Sequence, residues 1–113
     1  MTSSDAIAQI EQVIQKVPKG SVCSYSGIAA RAGLPGRARL VARVLRETSK
    51  VLPWYRILRA DGRIAFPSGS EPWQQQIARL EAEGVEVCDG KVAKRYFASD
   101  KTDDLDALLW GPD

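Results

Sequence analysis

Apolar positions at the start of the chain fall into a helical rhythm. Ile7, Ile10, Val13, Ile14 and Val17 recur three and four apart behind a polar start, and Pro18-Lys19-Gly20 ends the run, which predicts a first helix. A short extended piece over residues 21–23 leads to Ser24, whose hydroxyl suits the N-cap of a helix over 25–32. Gly33 can take the left-handed conformation that closes it. Leu34-Pro35-Gly36 makes a turn, and a third helix over 36–47 offers Leu40, Val41, Val44 and Leu45 to the core. Two short helices across a glycine-containing turn outline a helix-turn-helix, whose second helix meets DNA.

The rhythm then shortens. Residues 54–58 read as extended, Arg59-Ala60-Asp61-Gly62 as a turn and Arg63-Ile64-Ala65-Phe66 as β-prone, which together predict a small hairpin. After the loop Pro67-Ser68-Gly69-Ser70, the residues Trp73, Ile77 and Leu80 mark the inner face of a helix that ends at Gly84. Val85-Glu86-Val87 and Lys91-Val92 flank Asp89-Gly90, a second hairpin signal. Residues 98–113 hold several acids and the apolar cluster Leu105, Leu108, Leu109 and Trp110, expected to be a tail helix docked on the body or on a partner. The fold class expected is therefore mainly α with small β elements, a winged helix-turn-helix-like domain over 1–97 with an acidic C-terminal tail over 98–113.

Composition changes this picture little. A chain of 113 residues with 44% apolar and 27% charged positions supports one soluble core. The net charge of +2 makes no case for nucleic acid, so the placement of charge decides. Arg39, Arg43 and Arg46, spaced four and three apart, share one face of the third helix, and Arg37 stands near its start. A solvated surface is the plain alternative for such a trio; the turn just before it favours DNA.

No apolar run is long enough to cross a bilayer, and Met1-Thr2-Ser3-Ser4-Asp5 lacks the pattern of a signal peptide, so a cytoplasmic protein without membrane contact is expected. The chain has no histidine, which excludes Ser-His and Cys-His catalytic pairs and every metal site that needs imidazole. Cys23 and Cys88 stand far apart with no CxxC spacing, so neither a zinc site nor a disulfide framework follows. No cofactor is expected.

Five segments, in order, carry a resemblance: Val17-Pro18-Lys19-Gly20; Val22-Cys23-Ser24-Tyr25-Ser26-Gly27-Ile28-Ala29; Gly33-Leu34-Pro35 with Arg39; Pro53-Trp54-Tyr55-Arg56; and Leu80-Glu81-Ala82-Glu83-Gly84. Together they resemble the DNA-binding domain of the O6-alkylguanine-DNA alkyltransferases, most of all the alkyltransferase-like proteins, over roughly residues 7–97. In the true alkyltransferases a Pro-Cys-His-Arg motif supplies the cysteine that accepts the alkyl group, helped by the histidine and a glutamate. Here Trp54 stands at the cysteine and Tyr55 at the histidine. An indole has no lone pair suited to displacement, whereas a thiolate does, so the resemblance implies a protein that transfers no alkyl group.

What the resemblance implies is a non-enzymatic reader of damage. It would bind double-stranded DNA containing O6-alkylguanine as a monomer, flip the base through the minor groove and flag it to nucleotide excision repair proteins. By position, Arg39 matches the finger that fills the vacated stack, with Arg37 and Arg43 as neighbouring DNA contacts. Tyr25 matches the tyrosine that crowds the 3′ phosphate and rotates the nucleotide outward. Trp54, Tyr55, Leu45, Ile57 and Ser68 would surround the flipped base, with the Ile57 carbonyl facing the exocyclic amine and Ser68 facing the O6 substituent. Glu83 matches the relay glutamate and, with Arg56, is left a structural role. Pro67 departs from the family, which has an aromatic or basic residue there; Arg63 would replace it only if its hairpin bends toward the pocket. Trp73 reads as helix core.

Two other readings remain open at this level. The helix-turn-helix outline alone also fits a transcriptional regulator, although only the cluster around Leu105 and Trp110 offers a dimerisation element. An enzyme that uses Cys23 or Cys88 as acceptor is the other, with Cys23 placed just before a helix start that could lower its pKa.

Overall fold

The computed structural model describes residues 3–97; the expected tail, with its Leu105 to Trp110 cluster, lies outside the described residues. Helix α1 runs Ser3–Gln15, strand β1 Cys23–Ser24, helix α2 Tyr25–Arg31 and helix α3 Ala38–Glu47. A 3₁₀ turn, Trp54–Arg56, leads into β2, Ile57–Leu58; helix α4, Glu71–Ala82, precedes β3, Val87–Cys88, β4, Lys91–Val92, and a second 3₁₀ turn, Lys94–Tyr96. None of the described helices is long and apolar enough to cross a membrane.

Local chemistry explains the helix ends. The Ser24 hydroxyl accepts from the Gly27 amide at 2.9 Å, which satisfies a free donor of the first turn of α2. Gly33 and Gly36 both take positive φ, 79° and 83°, and the chain between α2 and α3 turns on them. The third helix therefore starts at Ala38, two residues later than the sequence pattern implied, because Gly36 stands outside helical space and Arg37 occupies the N-cap. In α1, Ile10 and Ile14 are fully buried while Ile7 is partly exposed, and Val17 joins the core from beyond the helix end.

The first expected hairpin does not form as residues 54–58 against 63–66. Residues 54–56 coil into the 3₁₀ turn, and β2 pairs in parallel with β1, Cys23 opposite Ile57 and Ser24 opposite Leu58. The turn itself is present, with the Gly62 amide donating to the Arg59 carbonyl at 2.8 Å. The residues after it turn to β4 instead, through an Arg63–Lys91 bridge and an Ile64 amide bond to the Gly90 carbonyl at 2.9 Å. Burial decides this: Ile57 and Leu58 are both fully buried, so β2 needs a core on each face rather than a solvent-facing partner. The second hairpin forms as its Asp-Gly signal implies, with both Asp89 and Gly90 at positive φ, 52° and 74°.

The core divides at that short parallel pair. Cys23 and Ile57 face a helical cluster with Ile10, Ile14, Ile28, Val41 and Val44, whereas their neighbours Val22 and Leu58 face a second cluster with Ile64, Leu80, Val85 and Val92. Successive side chains of extended chain point to opposite faces, so Val22-Cys23 and Ile57-Leu58 join two half-cores. The 3₁₀ turn that carries Trp54 is anchored directly at this join.

Candidate nucleic-acid interface

Arg37, Arg39, Arg43 and Arg46 are all exposed on or beside α3, opposite its buried face of Val41 and Val44. Arg43 pairs with Glu47 at 3.3 Å, but both side chains are more than half exposed, so the contact is weak and can yield to a phosphate. Among the described residues the other three arginines form no ion pair. Gly36, Arg37, Arg39, Leu40 and Arg43 line a shallow open depression at the start of α3. The helix thus presents cations to solvent along one edge and buries the other.

Trp54 is half-buried and held edge-on between two rings. Its centroid lies 5.8 Å from Tyr55 and 6.0 Å from Phe66, with interplanar angles of 86° and 83°. Such edge-to-face contacts add to the area the indole buries. Phe66 was legible only as a β-prone residue, since nothing in the spacing links positions 54 and 66. On its outer side Trp54 borders a depression shared with Lys50, Val51 and Arg79.

Beneath the motif is a closed polar network. Arg56 donates through Nε to Glu83 Oε1 at 2.9 Å, through Nη2 to Glu83 Oε2, and through Nη1 to the Val17 carbonyl at 2.9 Å. The Tyr55 hydroxyl donates to Glu83 Oε2 at 3.0 Å, and the Gly20 amide to Oε1 at 3.2 Å. Both members of the ion pair are largely buried, 14% and 8% exposed, so the pair is worth having only because its remaining positions are also bonded. The Arg56 guanidinium holds the Glu83 carboxyl below its ordinary pKa, and burial pushes the Tyr55 phenol up, helped by its bond to Glu83. A carboxylate with four donors and a lowered pKa is a poor base. The Tyr55 ring also lies between two guanidinium groups, Arg56 at 5.4 Å and Arg79 at 5.5 Å from its centroid.

Gln76 is the residue the hydrophobic pattern missed. It is 1% exposed, and its Nε2 donates to the Tyr55 carbonyl at 2.9 Å and the Ile57 carbonyl at 3.1 Å. Its place between Trp73 and Leu80, three after one and four before the other, puts it on the inner face of α4, which was the available signal. Gln76→Met, of similar volume but without a donor, is expected to cost about 1–3 kcal/mol because two buried carbonyls lose their partner. Urea unfolding measures it; a change under about 0.5 kcal/mol would mean that water replaces the amide.

The remaining expected site residues sit on separate elements. Tyr25 opens α2 and packs with Leu45 against the helical cluster, and burial raises the pKa of its phenol. Ile57 is buried and its carbonyl already accepts from Gln76, which leaves one lone pair. Ser68 and Pro67 are exposed in the loop before α4, and Arg63 is exposed and pairs with Asp61 at 3.5 Å. Trp73 packs against the second cluster and over Gly90, where a Cβ would come within 2.9 Å of its indole nitrogen. Cys23 is buried at the join of the two half-cores, out of reach of a substrate, and Cys88 is exposed on β3. No group of three or more His, Cys, Asp or Glu among the described residues could hold a metal ion.

This geometry has relatives. Residues 6–85 match the family described as 6-O-methylguanine DNA methyltransferase, DNA binding domain. The chain is 43% identical over 95 residues to a DNA base-flipping protein of Vibrio parahaemolyticus, spanning 80% of this chain and 92% of that protein. It is 30% identical over 89 residues to alkyltransferase-like protein 1 of Schizosaccharomyces pombe, spanning 77% and 82%. The crystal structure of S. pombe Atl1 in complex with damaged DNA containing O6-carboxymethylguanine matches with a TM-score of 0.77 at 28% identity, over 86% of this chain and 97% of that one. The match runs through the helix-turn-helix, the Trp54 motif and Glu83, and the chain belongs to the DNA-binding-domain family of the 6-O-methylguanine DNA methyltransferases, in its alkyltransferase-like branch.

Proposed function

We propose that this protein recognises O6-alkylated guanine in duplex DNA, flips it out of the stack and transfers no alkyl group. The observation that carries this is the Pro53-Trp54-Tyr55-Arg56 motif beside a Glu83 whose carboxylate is fully engaged. Transfer needs a nucleophile at position 54 and a base to activate it; this chain has an indole there and, close by, a carboxylate occupied by Arg56. The names of its relatives fit a binding role, one a base-flipping protein and one an alkyltransferase-like protein bound to damaged DNA.

Flipping a nucleotide costs a few kcal/mol, and less for a damaged base that pairs poorly, so the lesion selects itself in part. The exposed arginines of α3 attract the phosphate backbone. Arg39 fills the vacated place in the stack, and Tyr25 at the start of α2 crowds the phosphate beside the flipped nucleotide. Trp54, held by Tyr55 and Phe66, forms a flat apolar wall, with Leu45, Ile57 and Ser68 as the further sides of the base pocket. The complex, formed by a single copy of the protein, is then read by nucleotide excision repair proteins.

One duplex, with and without O6-methylguanine, tests recognition and chemistry together. Tighter binding of the damaged duplex in a salt-controlled titration, with no mass gained by the protein, is the expected result. Equal affinity for both duplexes removes damage recognition, and an added alkyl mass shows that transfer survives.

A further inference from the structure

The family match ends at residue 85, but the structure goes on through β3, β4 and the 3₁₀ turn Lys94–Tyr96. β4 folds back on the turn at Gly62: the Val92 amide donates to the Gly62 carbonyl at 2.9 Å, and Arg63 bridges to Lys91. The approach is so close that a Cβ on Gly62 would lie 2.5 Å from the Val92 carbonyl oxygen. These segments enclose an open groove whose lining includes Ser24, Asp61, Lys91, Val92, Lys94 and Phe97.

Its chemistry is that of an anion track. Val92 and Phe97 are buried and give an apolar floor, whereas Lys91 and Lys94 are exposed and form no ion pair among the described residues. Asp61, the carboxylate in the lining, is offset by Arg63 at 3.5 Å, and nearby Glu86 is taken by Arg95 at 3.0 Å. Position ties the groove to the interface. Ser24, which lines it, is the N-cap of α2, and the next residue is Tyr25.

We infer that this groove holds the phosphate backbone of the duplex to one side of the lesion, with Lys91 and Lys94 as its contacts. The inference rests on the DNA-binding reading above and extends the interface from α3 to the segment that follows the family match. A lysine ammonium acts as a point charge, without the planar fork by which arginine reads guanine, so these contacts add affinity without sequence or damage preference. Each neutralised phosphate releases condensed counterions, and the salt dependence of binding therefore counts the contacts.

The test compares the full chain with its Lys91→Ala/Lys94→Ala variant on one duplex, with and without O6-methylguanine, between about 50 and 200 mM salt. The slope of log affinity against log salt is expected to become shallower by about 1.8, roughly 0.9 per lysine, on both duplexes, while the damaged-to-undamaged affinity ratio is unchanged. Lys91→Arg/Lys94→Arg, which keeps both charges, restores the slope. An unchanged slope overturns the inference. Tighter binding by the alanine variant also overturns it, and assigns the groove to the acidic residues 98–113, which follow Phe97 directly. Failure of the damage-recognition reading looks different: the wild-type ratio is then one, and the slope change on undamaged DNA can still be seen.

Discussion

Replacing Glu83 with alanine is expected to destabilise the fold by about 3 kcal/mol, the low end of the range for breaking a buried ion pair. The low end applies because Arg56 keeps its bond to the Val17 carbonyl and retains some exposure, so its stranded charge is partly solvated. Even so, the change removes the acceptor of four donors at once: two from Arg56, one from Tyr55 and one from the Gly20 amide. Tyr55→Phe, which deletes only one of these bonds, should cost about 1 kcal/mol. Urea unfolding of both variants checks the contrast; a loss below about 1 kcal/mol for Glu83→Ala would show that water already serves Arg56.

The same network makes stability depend on pH in a defined direction. Glu83 has a folded pKa below its unfolded value, held there first by Arg56, so its contribution is fully present above the ordinary carboxylate range, around 4.3, and is lost as pH falls through the lowered value. Glu11 acts in the same sense. The Thr48 hydroxyl donates to it at 2.6 Å and, with Lys50 at 3.2 Å, holds its pKa down. Glu83→Gln should therefore flatten part of the acid limb of a stability–pH curve and leave the part due to Glu11. Tyr55 works at the other end. Its pKa is raised, so the neutral phenol's contribution is present below about 10 and lost as pH rises through the higher folded value.

Arg39→Ala is expected to abolish most of the flipping signal from a fluorescent base analogue placed beside the lesion, and to weaken damaged-duplex binding by about 10- to 100-fold. The side chain acts through its volume as well as its charge. A flipped nucleotide leaves an unstacked gap worth a few kcal/mol, and the side chain that fills it supports the extrahelical state in particular. Arg43 and Arg46, on the same exposed edge of α3, would contact phosphate only, so their alanine variants should weaken both duplexes alike and keep the signal. If Arg39→Ala behaves as they do, the arginine touches phosphate and some other group fills the stack.

The helix-turn-helix was readable from the chain because local chemistry sets it. Apolar spacing, the Ser24 cap, and glycines at Gly33 and Gly36 each act within a few residues, so α2, the turn and α3 follow from the sequence with an error of two residues at one helix start. The Asp89-Gly90 turn was legible for the same reason: both of its residues adopt positive φ without help from the rest of the fold. Trp54, within Pro53-Trp54-Tyr55-Arg56, was also legible directly, since it is a matter of residue identity alone.

Tertiary structure decided what depends on partners far along the chain. The parallel pairing of Ile57-Leu58 with Cys23-Ser24 spans more than thirty residues, and it replaced the local hairpin that turn chemistry alone favoured. Gln76 and Phe66 belong to the site only because α4 and the segment around Phe66 are folded against the 3₁₀ turn of Trp54, and no period in the sequence encodes that approach. The resemblance matched Glu83 to a relay glutamate; the fold surrounds it with four donors, all from distant segments: two from Arg56, one from Tyr55 and one from Gly20. Sequence alone determined that the helix-turn-helix would form and that no thiol would stand at position 54. Only packing determined how the indole is held and how the Glu83 carboxylate is engaged, because burial and long-range hydrogen bonding are properties of the assembled core.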